Sequence, residues 1–251
     1  REALAAGKGW DALGRLRRAA HRAERPGGDQ LLLGCFERLM YPRVSRAAVA
    51  VIPDTGASTT AGCCGALHAH NGALEQGRAM ARRLGAALPG TIVTTSGGCA
   101  AHLAEVLGRD SVVEVSERLA GRLDALPVGR LTAGARPLRV ALQDSCHLRH
   151  GLGVSGQPRA VLARIADYVE VAGADRCCGA AGTYSLLRPA DSRRILAGKL
   201  DALEAANVDV VAVVNPGCLR QLRDGLRSRR SPIRVMHLVE LVAALRPTLL
   251  R

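Results

Sequence analysis

The stretch Arg176-Cys177-Cys178-Gly179-Ala180-Ala181-Gly182 contains two adjacent cysteines followed by glycine, and the same arrangement occurs earlier as Gly62-Cys63-Cys64-Gly65-Ala66. Each pair lies between two single cysteines. All eight cysteines of the 251-residue chain therefore fall into two sets, which are Cys35, Cys63, Cys64 and Cys99, and Cys146, Cys177, Cys178 and Cys218. Matching sets that recur after roughly a hundred residues indicate an internal duplication.

Short apolar or β-branched runs alternate with helical patterns between the cysteines. The second half predicts strands at 138–142, 168–171, 208–214 and 233–236, and helices at 158–166, 191–206, 219–226 and 237–245. The first half predicts strands at 30–33, 91–95 and 112–115 and a loop at 53–62. Its predicted helices are 36–51 (interrupted by Pro42), 73–88, 100–107 and a last helix that Ser116 caps and that reaches about residue 126. Alternating strands and helices are typical of parallel sheets covered by helices.

We therefore predict an α/β fold with two tandem similar lobes, each a mostly parallel sheet with helices on both faces. The expected domains are an N-terminal linker or extension at 1–29, a first cysteine-rich domain at 30–126 and a second at 138–246.

In the second half each cysteine follows the C-terminal end of a predicted strand. In parallel sheets these ends share one edge, where such folds bind ligands. We therefore expect the four thiols of each set to converge, giving two separate sites.

Four thiolates suit a zinc ion or an iron–sulfur cluster. Structural zinc sites usually use cysteines separated by two to four residues, whereas adjacent cysteines can reach different irons of a larger cluster. The pattern favours iron–sulfur chemistry at all eight cysteines, with zinc as the alternative and inert buried thiols as the least favoured interpretation. Gly65 and Gly179 allow the backbone to turn tightly beside a bulky inorganic group.

Composition excludes some classes of function. The formal net charge is +13, but aromatic residues make up only 2% of the chain and the basic residues are spread along it, so we do not expect a nucleic-acid partner. Apolar runs are shorter than a membrane span. Eight cysteines without a recognisable export signal indicate reduced thiols and a cytoplasmic protein.

The chain resembles the cysteine-rich CCG-domain family, and within it the C-terminal part of glycolate oxidase iron–sulfur subunits. The segments that carry the resemblance are 62–70, 144–150, 177–184 and 215–218. The resemblance implies [4Fe–4S]-type clusters, one per lobe, and electron transfer beside a flavoprotein subunit that oxidises glycolate or lactate. It also implies a ferredoxin-like region or protein, and peripheral association with the inner face of the membrane through the complex.

Three features depart from the family pattern. Closely spaced ferredoxin-type cysteines are missing from this sequence. The last cysteine of each set lacks a second cysteine three residues later, because His102 and Gln221 stand there. Residues 53–62 look eroded where the second half has helix, strand and turn.

Five histidines lie near the cysteines, at positions 68, 70, 102, 147 and 150. We expect His147 to donate a hydrogen bond near a sulfur and leave the others open. We predict no catalytic residue in this chain and expect it to be inactive as an oxidase alone. Two alternatives stay open, which are a heterodisulfide-reductase-like thiol/disulfide redox subunit and a zinc-stabilised, non-catalytic scaffold.

Overall fold

The first lobe is built on a four-stranded parallel sheet. The structure is a computed structural model that describes residues 28–58 and 62–245. The strands are β1 (Gln30–Leu32), β2 (Gly56–Ser58), β3 (Ile92–Thr94) and β4 (Val112–Glu114), in the order β2-β1-β3-β4. The helices are α1 (Cys35–Met40), α2 (Pro42–Val51), α3 (Ala66–His70), α4 (Leu74–Ala87), α5 (Gly97–Leu107) and α6 (Val115–Ala120), with 3₁₀ turns at Arg109–Ser111 and Leu123–Ala125.

A short hairpin of β5 (Thr132–Ala133) and β6 (Arg136–Pro137) leads into the second lobe. Its parallel strands are β7 (Arg139–Gln143), β8 (Asp167–Val169), β9 (Val210–Val213) and β10 (Arg234–His237), in the order β8-β7-β9-β10. Its helices are α7 (Gly156–Ile165), α8 (Tyr184–Leu187), α9 (Pro189–Ala205), α10 (Pro216–Ser228) and α11 (Leu238–Ala244), and a π-helix spans His147–Leu152.

The two sheets have the same topology. In each lobe the first strand lies second in the sheet, between the second and third strands, and the fourth strand forms the far edge. The central strands are wholly buried, as in β3 and β9, which is the pattern of parallel sheets covered on both faces. The predicted fold class, two tandem α/β lobes with parallel sheets flanked by helices, is confirmed.

Two local predictions of the first lobe are wrong. Residues 53–62 were expected to be a loop without regular structure, but β2 lies there and pairs with β1, with Gly56 beside Gln30. Ser116 was expected to cap the following helix, but the cap is Glu114, whose carboxylate accepts from the Ser116 amide at 2.7 Å. Glu117 accepts from the Glu114 amide at 2.9 Å, which completes a capping box.

The domain limits stay predictions. Residues 1–27, and with them most of the predicted linker at 1–29, lie outside the described residues, as does residue 246. No helix in the described part of the chain is long and apolar enough to cross a membrane.

The lobes pack through helices that are equivalent in the duplication. Helix α2 of the first lobe contacts α11 of the second, and α7 of the second contacts α6 of the first. Helix α2 is equivalent to α7 and α6 is equivalent to α11, so the two contacts are related by the duplication. Helix α5 also packs against the π-helix that follows Cys146. The buried apolar residues of both lobes form one continuous hydrophobic cluster, so the two sheets are fixed relative to one another.

Candidate metal centre

Each cysteine follows the C-terminal end of a strand, in both lobes. In the first lobe Cys35 begins α1 after β1, Cys63 and Cys64 lie between β2 and α3, and Cys99 lies in the first turn of α5 after β3. We call these four the first-lobe thiol set. Because the strands are parallel, their ends share one edge of the sheet.

The second lobe repeats the arrangement. Cys146 follows β7 at the start of the π-helix, Cys177 and Cys178 lie between β8 and α8, and Cys218 lies in the first turn of α10 after β9. We call these four the second-lobe thiol set. The π-helix was not expected from the sequence, and such helices occur often at functional sites.

The thiols approach one another in pairs. The Sγ–Sγ distance is 3.4 Å between Cys35 and Cys63 and 3.0 Å between Cys64 and Cys99. In the second lobe the Sγ–Sγ distance between Cys178 and Cys218 is 3.2 Å. In residues 28–58 and 62–245, no group of three or more His, Cys, Asp or Glu side chains is placed to hold a single metal ion.

Contacts between neighbouring cysteines move their pKa values in opposite directions. The pKa of Cys63 is lowered to about 2, chiefly because the Cys35 thiol donates a hydrogen bond to it, and the pKa of Cys35 is raised by the same contact. Cys177 and Cys146 show the same relation, with the pKa of Cys177 lowered to about 2. Thiolates are the form of cysteine that ligates metals.

The glycine after each cysteine pair has a conformation that other residues rarely adopt. Gly65 has φ +84° and Gly179 has φ +83°. Their amides donate to the sulfur of Cys63 at 3.4 Å and of Cys177 at 3.3 Å. A Cβ on Gly65 would lie 2.3 Å from the Gly77 carbonyl oxygen. The glycines thus bring the cysteine pair against the helix that follows it.

The two thiol sets face one cavity of about 310 Å³, which all eight cysteines line. The sequence predicted two separate sites; the sets do stay grouped by lobe, but they share this space. Polar residues of both lobes line it as well, including Ser96 and Asn215.

Ser96 and Asn215 occupy equivalent positions, each three residues before the last cysteine of its set, and they contact one another across the lobes. The Ser96 hydroxyl donates to the Asn215 Oδ1 at 3.1 Å, and the Gly98 amide donates to the same oxygen at 3.3 Å. The Asn215 Nδ2 donates to Cys218 Sγ at 3.7 Å. One amide side chain therefore links the two sides of the cavity.

Two of the five histidines line the thiol cavity. His70 of the first lobe stacks on His147 of the second, with ring centroids 4.9 Å apart. Burial lowers the pKa of both. They form the wall between this cavity and a neighbouring groove of about 670 Å³, which His102 also lines. His68 and His150 line neither space.

Two buried ionisable residues near the thiols were missed in the sequence. Glu37 lies two residues after Cys35, is fully buried and accepts from Ser45 at 3.0 Å and from Thr95 at 2.5 Å. Burial raises the pKa of Glu37 to about 7. Lys199 of α9 is 95% buried, and its Nζ donates to the carbonyls of Gly173 and Ala174. The only signal for Lys199 was that it is one of two lysines in an arginine-rich chain.

Comparison with known proteins matches this architecture. A family model described as "Cysteine-rich domain" (CCG) matches residues 30–104 and again residues 140–223. The chain belongs to this family. Each match contains one complete thiol set, so the duplicated unit of the sequence is the family's domain.

Curated relatives align with most of this chain. The "Probable glycolate oxidase iron-sulfur subunit" of Bacillus subtilis (strain 168) is 32% identical over 83% of this chain and 52% of its own length. The "Glycolate oxidase iron-sulfur subunit" of Escherichia coli (strain K12) is 29% identical over 84% of this chain and 56% of its own length. "Lactate utilization protein A" of Geobacillus kaustophilus (strain HTA426) is 27% identical over 85% of this chain and 98% of its own length. The chain thus spans about half the length of the two glycolate oxidase subunits.

Proposed function

We propose that this chain is an iron–sulfur electron-transfer module of a flavin-dependent oxidase or dehydrogenase for 2-hydroxy acids such as glycolate or lactate. The observation that carries the proposal is the pair of equivalent thiol sets on one cavity. The names of the relatives support an iron–sulfur subunit and the substrate class.

The thiol donors fit an iron–sulfur group. Each lobe offers four cysteine sulfurs, the ligand set that [2Fe–2S] and [4Fe–4S] clusters use. We propose the eight cysteines as the ligands and a [4Fe–4S]-type cluster in each lobe. Such a group supplies one-electron transfer when bound.

The chain's own residues organise that chemistry. The amides of Gly65 and Gly179 donate to the sulfurs of Cys63 and Cys177 and so favour the thiolate form needed for ligation. Asn215 holds the α5 terminus that carries Cys99 beside Cys218. His70 and His147 limit access to the cavity from the groove.

We propose that the oxidation of the hydroxy acid takes place on a flavoprotein partner. In this proposal the chain receives electrons from the flavin and passes them on, through a ferredoxin-like region or protein, to an acceptor at the membrane.

The first test is the metal content of protein purified without oxygen. We expect iron and acid-labile sulfide with absorbance near 400 nm, as iron–sulfur proteins show. Stoichiometric zinc without iron would overturn the proposal in favour of a zinc-stabilised scaffold.

The second test is glycolate- or lactate-dependent dye reduction by the loaded chain, with and without its flavoprotein partner. We expect turnover only in the mixture, and we expect Cys177→Ser to abolish it while the complex still forms. Turnover by this chain alone would contradict the electron-transfer assignment.

One observation favours a second candidate function. Because the two thiol sets face one cavity, a small disulfide bound there would lie beside both sets, as thiol/disulfide redox chemistry at these sites requires. If the loaded chain reduces a small-molecule disulfide with electrons from a reduced dye, this second function is supported. If it reduces no disulfide but is active with the hydroxy acid, the second function is excluded.

A further inference from the structure

The duplication lets each residue around one thiol set be compared with its equivalent around the other. The glycine after each cysteine pair lies closest to one residue of the next long helix. A Cβ on Gly65 would meet Gly77 of α4, and a Cβ on Gly179 would meet Ser192 of α9. Gly77 and Ser192 are therefore equivalent, and seven residues further along the same helices Leu84 is equivalent to Lys199.

This pair of equivalent residues differs in charge. Leu84 and Lys199 are both buried, with 1% and 5% of their surface exposed. The Lys199 ammonium is solvated by two backbone carbonyls of the loop that precedes Cys177. Burial lowers the pKa of Lys199, and the cysteines of the second-lobe thiol set, Cys178 and Cys218 first among them, oppose that change. The positive charge therefore acts on the second-lobe thiol set, and apolar Leu84 stands in its place in the first lobe.

A second equivalent pair differs in the same direction. Asn215 donates an N–H to Cys218 Sγ. Its equivalent Ser96 donates its hydroxyl to Asn215 and accepts from the Cys99 amide at 3.4 Å. The Ser96 side chain also lowers the pKa of Cys99, but the one proton of its hydroxyl is donated to the other lobe, whereas Asn215 keeps an N–H for the sulfur of its own set.

From these differences we infer that the second-lobe site has the more positive reduction potential, so that electrons pass from the first-lobe site to the second. This inference rests on the proposed function. Reduction adds negative charge to a site, and a nearby cation and N–H donors to sulfur stabilise that charge. In the transfer, one electron leaves the first-lobe site, which is oxidised, and reduces the second-lobe site.

The test is a redox titration of the loaded protein followed by electron paramagnetic resonance. Cys63→Ser and Cys177→Ser assign the signals, because each should remove the signal of its own lobe. We expect the signal that is lost in Cys177→Ser to have the higher midpoint potential. Equal potentials, or the reverse order, would overturn the inference.

The decisive variant is Lys199→Met, which removes the charge and keeps a similar volume. It should move the second-lobe midpoint to a more negative potential and leave the first-lobe midpoint in place. The loop should keep its shape, because the Gly173 and Ala174 carbonyls also accept from Arg176 at 3.0 Å and Asp144 at 3.1 Å. Arg194→Met is the matched control, since it removes a positive charge from the same helix at an exposed position.

A second variant keeps the inference testable if Lys199→Met does not fold. Asn215→Ser gives the second lobe the residue of the first and should also lower the second-lobe midpoint. Loaded protein in which neither variant moves that midpoint would overturn this inference alone. Protein that takes up no iron and sulfide would overturn the proposed function, and this inference with it.

Discussion

Glu114 and His237 occupy equivalent positions at the end of the fourth strand of each sheet, and each caps the helix that follows. Glu114 is fully buried, and burial raises its pKa to about 8. Its Oε1 has no hydrogen-bond partner among the described residues, so no donor at that oxygen offsets the cost of burying the charge. Because the unfolded chain releases this proton near pH 4.5, Glu114 stabilises the fold fully below that pH and loses its contribution as pH rises to about 8.

The variant Glu114→Gln tests this contribution because it is neutral at every pH. Relative to the variant, the unfolding free energy of the wild type should fall by about 1.4 kcal/mol per pH unit between pH 5 and 7.5. Urea unfolding at several pH values measures the difference. Glu75→Gln removes an exposed carboxyl and should show little change; a flat difference for Glu114→Gln would contradict the prediction.

His237 contributes with the opposite sign. It is buried, its Nε2 lies 2.8 Å from the Thr95 carbonyl, and its Nδ1 accepts from the Val239 amide at 3.3 Å. Burial lowers its pKa to about 4. The contribution of His237 to the unfolding free energy is therefore complete above about pH 6.5 and is lost as the pH falls through about 4. Between about pH 4.5 and 6.5 the pH dependence of stability due to Glu114 and that due to His237 therefore have opposite signs and offset one another in the wild type.

Single residues were predictable where their type is rare and their pattern repeats. The eight cysteines met that condition, since every cysteine of the chain belongs to one of the two repeated sets. Glu37 and Lys199 did not, because a glutamate or lysine is usually solvent-exposed and only the tertiary structure shows that these two are buried. Their positions relative to the thiols depend on contacts between distant parts of the chain.

At the scale of elements, the contact between Gly65 and α4 determines where the first cysteine pair lies. Gly65→Ala would place a Cβ at 2.3 Å from a backbone oxygen, in a residue with φ +84°. The conformation alone costs about 1–2 kcal/mol, and the clash requires α4 to move. We expect a larger loss of unfolding free energy than this, together with a reduced iron content after loading.

Gly72→Ala is the control for Gly65→Ala. Gly72 has a similar φ of +90°, but a Cβ there would have no atom within 4 Å. The unfolding free energy of Gly72→Ala, measured in urea, should therefore fall by the conformational cost alone. The iron content of this variant should be unchanged. Equal losses for the two variants would show that the contact with α4 is unimportant.

The order of strand, cysteine and helix was predictable because apolar runs and cysteines recur together in both halves. Helix α3 and the π-helix were not, since each is short and follows a cysteine in a stretch without apolar periodicity. Strand β2 was missed because Gly56–Ser58 carries no β-branched residue, and it forms only by pairing with β1.

At the scale of the whole molecule, the sequence did not indicate that the thiol sets face one another. The contacts that align the lobes join residues far apart in the chain, such as Ser96 and Asn215, and no local pattern reports them. The Gly97 amide also donates to the Val214 carbonyl across the lobes at 3.1 Å. The shared cavity is therefore a property of the assembled pair of lobes.

Gly97 allows a close approach between the lobes beside the cavity. A Cβ there would lie 2.4 Å from Ser145 Oγ and 2.9 Å from Leu148 Cγ, and Leu148 is buried. Gly97→Ala should therefore push the π-helix away from α5 and widen the thiol cavity, at a cost of about 1–3 kcal/mol as for other overpacked sites. Both sheets should stay folded, because neither contains the altered contact.

The measurement is the rate at which a thiol reagent modifies metal-free protein, with circular dichroism as a check on the fold. We expect Cys99 and Cys146 to react several-fold faster in Gly97→Ala than in the wild type, because they lie on the two elements that separate. Gly156→Ala, where a Cβ meets no atom within 4 Å, should leave the rates unchanged. Unchanged rates in Gly97→Ala, with the fold intact, would mean that the contact between lobes does not control access to the thiols.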